Sequence, residues 1–168
     1  MPEWCRKYVR LVEGVNYRVG RFAMYLLFVM MAILLWSSVT KVIRLPAIWT
    51  LEMAQFTLVA YYLLGAPYTF QLGTNVRMDL IYARVSPKSQ ALWDAFTVFA
   101  LLFYLGVMLY GAWGSTVYSF ETGERAPSGW RPYLWPIKVI ICTSFVLMIL
   151  QATVHLIRDI AVLRNEEL

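Results

Sequence analysis

The chain has 168 residues, 60% of them hydrophobic and only 15% charged, with a mean hydropathy of +0.58. Soluble domains hold about 45–50% apolar residues, so this composition argues against a water-soluble enzyme or binding domain. The net charge of +5 does not mark a nucleic-acid binder. Its Lys and Arg residues fill the gaps between apolar runs, where a membrane protein keeps anchors and topology determinants.

In chain order, the first feature is a patterned segment over 3–20. Trp4, Tyr8, Leu11, Val15, Val19 and Phe22 recur on one helical face, with Arg6, Arg10, Glu13 and Arg21 opposite. This pattern predicts an amphipathic helix lying in the cytoplasmic interface; the competing reading is a frayed basic tail. The apolar run that follows is too long for a signal-peptide core and has no small-x-small cleavage site, so a retained helix is expected.

Four stretches are long enough to cross a hydrocarbon core, which takes about 20 helical residues. They are charge-free over Phe22–Thr40, from just after Glu52 to Val76, over Ala95–Phe120 and over Val139–Ile157. Lipid leaves backbone amides no water to bond, so the stretches must be helices. The expected architecture is an all-α integral membrane protein: a single membrane domain over 1–168, with transmembrane helices at about 22–41, 51–73, 93–119 and 136–158, plus the N-terminal amphipathic interfacial helix. Ser86-Pro87 reads as an N-cap followed by proline at the first helical position. Pro67 should kink the second helix. Gly106, Gly111 and Gly114 would permit close helix contact in the third.

Orientation follows from the basic residues. Ten fall on the side of the termini and the 77–88 loop, and five on the side of the 41–50 and 119–137 loops. The positive-inside rule then places both termini in the cytoplasm.

The chemistry is sparse. The single histidine, His155, reads as an interfacial residue one turn before Arg158, and bis-histidine haem ligation needs two. Cys5 and Cys142 form no CxxC or Cys/His cluster, which argues against a zinc site or disulfide framework. No nucleophile-elbow, P-loop or HExxH pattern is present, so neither an enzyme nor a cofactor is expected. Ion pathways use ionisable groups deep in the bilayer, and helices one, three and four have none. Glu52 opens helix two, where the N-terminal dipole favours a carboxylate; it caps the interface or pairs with Lys41 or Arg44. Arg77 and Asp79 form a mixed-charge loop that could brace helix ends or dock a partner. The Trp- and Pro-rich stretch Glu124…Trp130-Arg131-Pro132-Tyr133-Leu134-Trp135-Pro136 is either an aromatic belt or a stiff docking surface. These features point to an accessory subunit lying against another membrane protein.

Several motifs carry a resemblance. Trp49-Thr50-Leu51-Glu52, then Gly65-Ala66, then Val76-Arg77-Met78-Asp79-Leu80-Ile81-Tyr82-Ala83-Arg84-Val85-Ser86-Pro87 resemble the small membrane subunit of tripartite ATP-independent periplasmic (TRAP) transporters. Gly123-Glu124, Leu134-Trp135-Pro136-Ile137-Lys138 and Leu147-Met148-Ile149-Leu150-Gln151 continue it, and the branch it resembles most is the mannitol/chloroaromatic one. A departure is Asn75, where many relatives carry histidine.

The resemblance implies a four-helix, non-catalytic subunit of the bacterial inner membrane. It would scaffold a large transport subunit of about a dozen helices during sodium-coupled uptake of an organic acid delivered by a periplasmic binding protein. The chain end at Leu168 sets the expectation of an unfused subunit. Trp49, Glu52, Arg77, Asp79, Glu124 and Trp135 become the expected partner contacts. The rival readings are a membrane anchor subunit of a respiratory or redox complex, which would need histidine ligands, and a small self-assembling exporter, which would need a membrane-embedded charge.

Overall fold

A computed structural model describes residues 3–45, 47–73 and 87–163, with backbone alone at 87–92, 94, 95, 162 and 163. Among the described residues, four helices occupy the four apolar runs: α1 (Glu3–Val42), α2 (Thr50–Gln71), α3 (Pro87–Thr122) and α4 (Trp135–Leu163). No strand is assigned among the described residues.

One finding departs from the expected layout. A single 40-residue helix, about 60 Å long at 1.5 Å per residue, runs through both the 3–20 segment and the apolar stretch after it. Nothing between them breaks a helix: Gly14 and Gly20 are isolated, and no proline intervenes. The buried face of its first half is not the Trp4/Leu11/Phe22 stripe but Val9, Val12, Asn16, Gly20 and Ala23, at helical spacing. Trp4, Leu11, Val15 and Phe22 remain exposed.

α1, Phe96–Thr122 of α3 and Trp135–Ala161 of α4 are long and apolar enough to cross a membrane. α2 has the length, 22 residues, but Glu52, Gln55, Gln71 and three tyrosines lower its hydropathy. It runs unbroken through Pro67, which is buried. α3 begins at Pro87, where the Ser86-Pro87 signal places a helix start; Ser86 itself lies outside the described residues.

The helix ends use left-handed caps. Arg44 (φ 59°) follows α1, with Leu45 N–H donating to the Thr40 carbonyl (3.0 Å) and Arg44 N–H to that of Lys41 (3.1 Å). This is a Schellman motif in which arginine takes the position that glycine fills without strain. Gly123 (φ 62°) holds the same position after α3, with Glu124 N–H donating to the Ser119 carbonyl at 3.1 Å.

α1 packs along α2, and α3 along α4; α4 also packs on α2 and, over a shorter stretch, on α1. α4 is therefore the central element, with 33% of its apolar span buried against 11% for α1 and α3. Among the described glycines the tightest contact between helices is at Gly20, where an added Cβ would stand 2.4 Å from Tyr68. Tyr68 also stacks edge-on against Tyr17, centroids 5.8 Å apart. Gly106, Gly111 and Gly114, expected at a close contact, have no heavy atom near an added Cβ. Gly111 and Gly114 are exposed, and Gly106 lines an open groove between α3 and α4.

Gly20→Leu should therefore separate α1 from α2 and cost at least the ~1–3 kcal/mol typical of overpacking, read as a lowered thermal midpoint in detergent. Gly65→Ala, which meets open space, should be neutral or slightly stabilising; equal effects of the two would contradict this packing.

Candidate functional site

The bundle has two polar ends. One carries the α1–α2 turn, the 123–134 loop and Lys138; the other carries the start of α1, the end of α2 and Arg158. Between them, outward-facing side chains are overwhelmingly apolar and aromatic, among them Phe28, Trp36, Phe96, Phe103, Tyr110 and Trp113.

At the Lys138 end the 123–134 loop is a closed hairpin. Arg125 and Tyr133 form an antiparallel bridge. Ala126 N–H donates to the Pro132 carbonyl (2.9 Å), and Leu134 N–H to that of Glu124 (3.1 Å). The Arg125 guanidinium donates to the Tyr133 hydroxyl and lies 4.3 Å from the ring centroid. Lys138 Nζ reaches Glu124 Oε2 at 2.6 Å, tying the loop to α4. The lysine ammonium holds the Glu124 carboxyl below its ordinary pKa. Trp135 opens α4 and stacks edge-on against Phe120, centroids 6.0 Å apart. Gly129 abuts Ile48, whose Cγ2 would be 3.0 Å from an added Cβ, so the two loops of this end touch.

The start of α2 lies at the same end. Trp49 is its N-cap residue and makes no side-chain cap. The Thr50 hydroxyl donates to the Ala47 carbonyl (2.8 Å) and lies 3.1 Å from the Ser37 hydroxyl. Glu52 is buried, and its Oε2 has no hydrogen-bond partner among the described residues. The pairing with Lys41 or Arg44 is not formed, and both cations are exposed. Four of the six expected contact residues, Trp49, Glu52, Glu124 and Trp135, thus share one end. Arg77 and Asp79 lie outside the described residues.

The opposite end holds a polar seam that the sequence pattern missed. Asn16 Nδ2 donates to Gln151 Oε1 at 2.6 Å, both side chains fully buried. The Tyr8 and Thr153 hydroxyls are 2.8 Å apart, and Arg158 pairs with Glu13. His155 contacts the end of α2. Its ring packs on Phe70 (centroids 4.3 Å apart), and Nε2 lies 3.0 Å from the Phe70 carbonyl. A carbonyl only accepts, so Nε2 is the donor, and it joins Gly73 N–H (3.2 Å) on the same carbonyl at the end of α2. The available signal was Asn16, Gly20 and Ala23 at helical spacing, a small and polar stripe on an otherwise apolar helix.

Interhelical hydrogen bonds in membranes are worth about 0.6 kcal/mol on average and up to about 1.7. Asn16→Leu alone should cost more than the bond itself, because it strands the Gln151 amide. The double change Asn16→Leu/Gln151→Leu should recover part of the loss in a thermal-stability cycle; strictly additive losses would count against the pair. A second expectation concerns pH. A depressed Glu124 pKa means that the pair stabilises the loop above the ordinary carboxylate range and is lost as pH falls through the lower folded value. Carbon NMR of the Glu124 carboxyl should show that low midpoint, and Lys138→Met should return it upward. An ordinary midpoint in both proteins would remove the pair from the account.

Residues 30–162 match the family model described as "Tripartite ATP-independent periplasmic transporters, DctQ component". No curated protein and no solved structure matches the chain.

Proposed function

We propose that this chain, which belongs to the DctQ component family of tripartite ATP-independent periplasmic transporters, braces the large membrane subunit of such a transporter. The observation that carries the reading is the family match over residues 30–162, which runs from the second half of α1 to the end of α4. In this reading α2 crosses the membrane with the other three helices, since it packs along both α1 and α4. Its 22 residues span about 33 Å, enough for the hydrocarbon core. Both termini are cytoplasmic, so the Lys138 end faces the periplasm of the bacterial inner membrane.

The proposed division of labour is as follows. The large subunit moves the substrate, an organic acid coupled to sodium, and a periplasmic binding protein delivers it. The small subunit supplies contact surface and no chemistry. The bundle supports this role in two ways. Its inter-helix polar groups near the Arg158 end are spent on holding helices together, and α3 leaves most of its perimeter apolar and unoccupied by the chain itself. The outward Gly111 and Gly114 would let a neighbouring helix approach the α3 backbone. Trp49, Glu52, Glu124 and Trp135 are proposed as contacts on the periplasmic end, and Arg77 and Asp79 as contacts in the cytoplasmic loop. The branch proposed, on the motif resemblance alone, is the mannitol/chloroaromatic one.

Affinity purification from native membranes in mild detergent, followed by mass spectrometry, should recover a hydrophobic protein of about a dozen helices. Gly111→Leu should leave this chain folded yet reduce that recovery several-fold. Recovery of the chain alone, or with a haem or flavin protein, would overturn the scaffold reading.

A further inference from the structure

Between the first turns of α1 and the last turns of α4 lies a cavity of about 310 Å³, lined by Arg6, Val9, Arg10, Glu13 and Arg158. Three guanidiniums meet one carboxylate there, and that carboxylate is already paired with Arg158. Arg6, and Asp159 beside Arg158, each make a further contact of their own. Arg10 is exposed and makes no hydrogen bond or ion pair among the described residues. Arg6 and Arg10 stand one helical turn apart, where like charges repel. A cavity that gathers such charges at the end of a membrane bundle is relieved by an anion.

The geometry points to a binding site for the phosphate headgroup of an anionic phospholipid, with Arg10 and Arg158 as its guanidinium ligands. Guanidinium forks match phosphate oxygens in a bidentate way that a lone ammonium does not. Basic pockets between membrane helices are known headgroup sites. A free phosphate would use the same guanidiniums; the place of the cavity at the end of a membrane bundle favours the lipid. Glu13 positions Arg158 and competes with the headgroup for it. The inference requires only that the chain lies in a membrane. Its failure would not touch the scaffold reading, and failure of the scaffold reading would not touch the cavity.

The test is native mass spectrometry and thermal melting of the purified full chain with phosphatidylglycerol, phosphatidylcholine or inorganic phosphate. Wild type should retain phosphatidylglycerol over phosphatidylcholine. Arg10→Gln, which breaks no contact among the described residues, should weaken that retention about fivefold, the size expected for one guanidinium at a membrane surface. Arg158→Gln should weaken it at least as much. Glu13→Gln should hold the lipid as tightly as wild type or more tightly, whereas a purely structural Glu13–Arg158 pair would make both variants lose it alike. Equal retention by wild type and Arg10→Gln would overturn the assignment. So would stabilisation by inorganic phosphate that matches phosphatidylglycerol and depends on Arg10, because the ligand would then be a soluble anion.

Discussion

The arrangement of the bundle depends on the seam between α4 and the α1–α2 hairpin. α3 packs chiefly on α4, so the two halves of the chain are joined almost entirely through that helix. Lipid tails are as apolar as leucine, and burying apolar side chains between membrane helices therefore gives little driving force. Specific polar contacts and close backbone approach have to set the geometry. The seam has both: Asn16 to Gln151, Tyr8 to Thr153, Glu13 to Arg158 and His155 to the Phe70 carbonyl, with Gly20 seated against Tyr68 beside it.

The polar residues near the Arg158 end hold helices against one another. Asn16 and Gln151 are sealed between helices. Their unpaired atoms, Asn16 Oδ1 and Gln151 Nε2, are buried as well. Buried amides of this kind raise the cost of any other register between α1 and α4, since a slip would strand both. The Lys138 end works differently. There the loop is held by one ion pair, one backbone hairpin and two aromatic contacts, all near the surface.

The outer surface follows from the same arrangement. With α4 packed on the other three helices, the large side chains of α1 and α3 point away from the chain's own core. In water such a surface would aggregate; in a bilayer it is ordinary, and it is what a subunit that adds footprint to a larger partner needs.

Much of this was legible in the amino-acid order. The positions of the four helices follow from charge-free length and the demand that amides be satisfied in lipid, and the start of α3 from proline at its first turn. The motif series Trp49-Thr50-Leu51-Glu52, Gly123-Glu124 and Leu134-Trp135-Pro136 pointed to the family. Tertiary structure alone decided which helices touch, that 3–42 is one continuous helix, that Gly20 rather than Gly106, Gly111 or Gly114 makes the close contact, and that Glu124 rather than Glu52 finds a lysine. The physical reason is that hydropathy reports which stretches lie in lipid, and every face of such a helix reads as equally apolar. The partner of each face is set by a few polar and small residues far apart in sequence, such as Asn16 and Gln151, whose meeting no local pattern encodes.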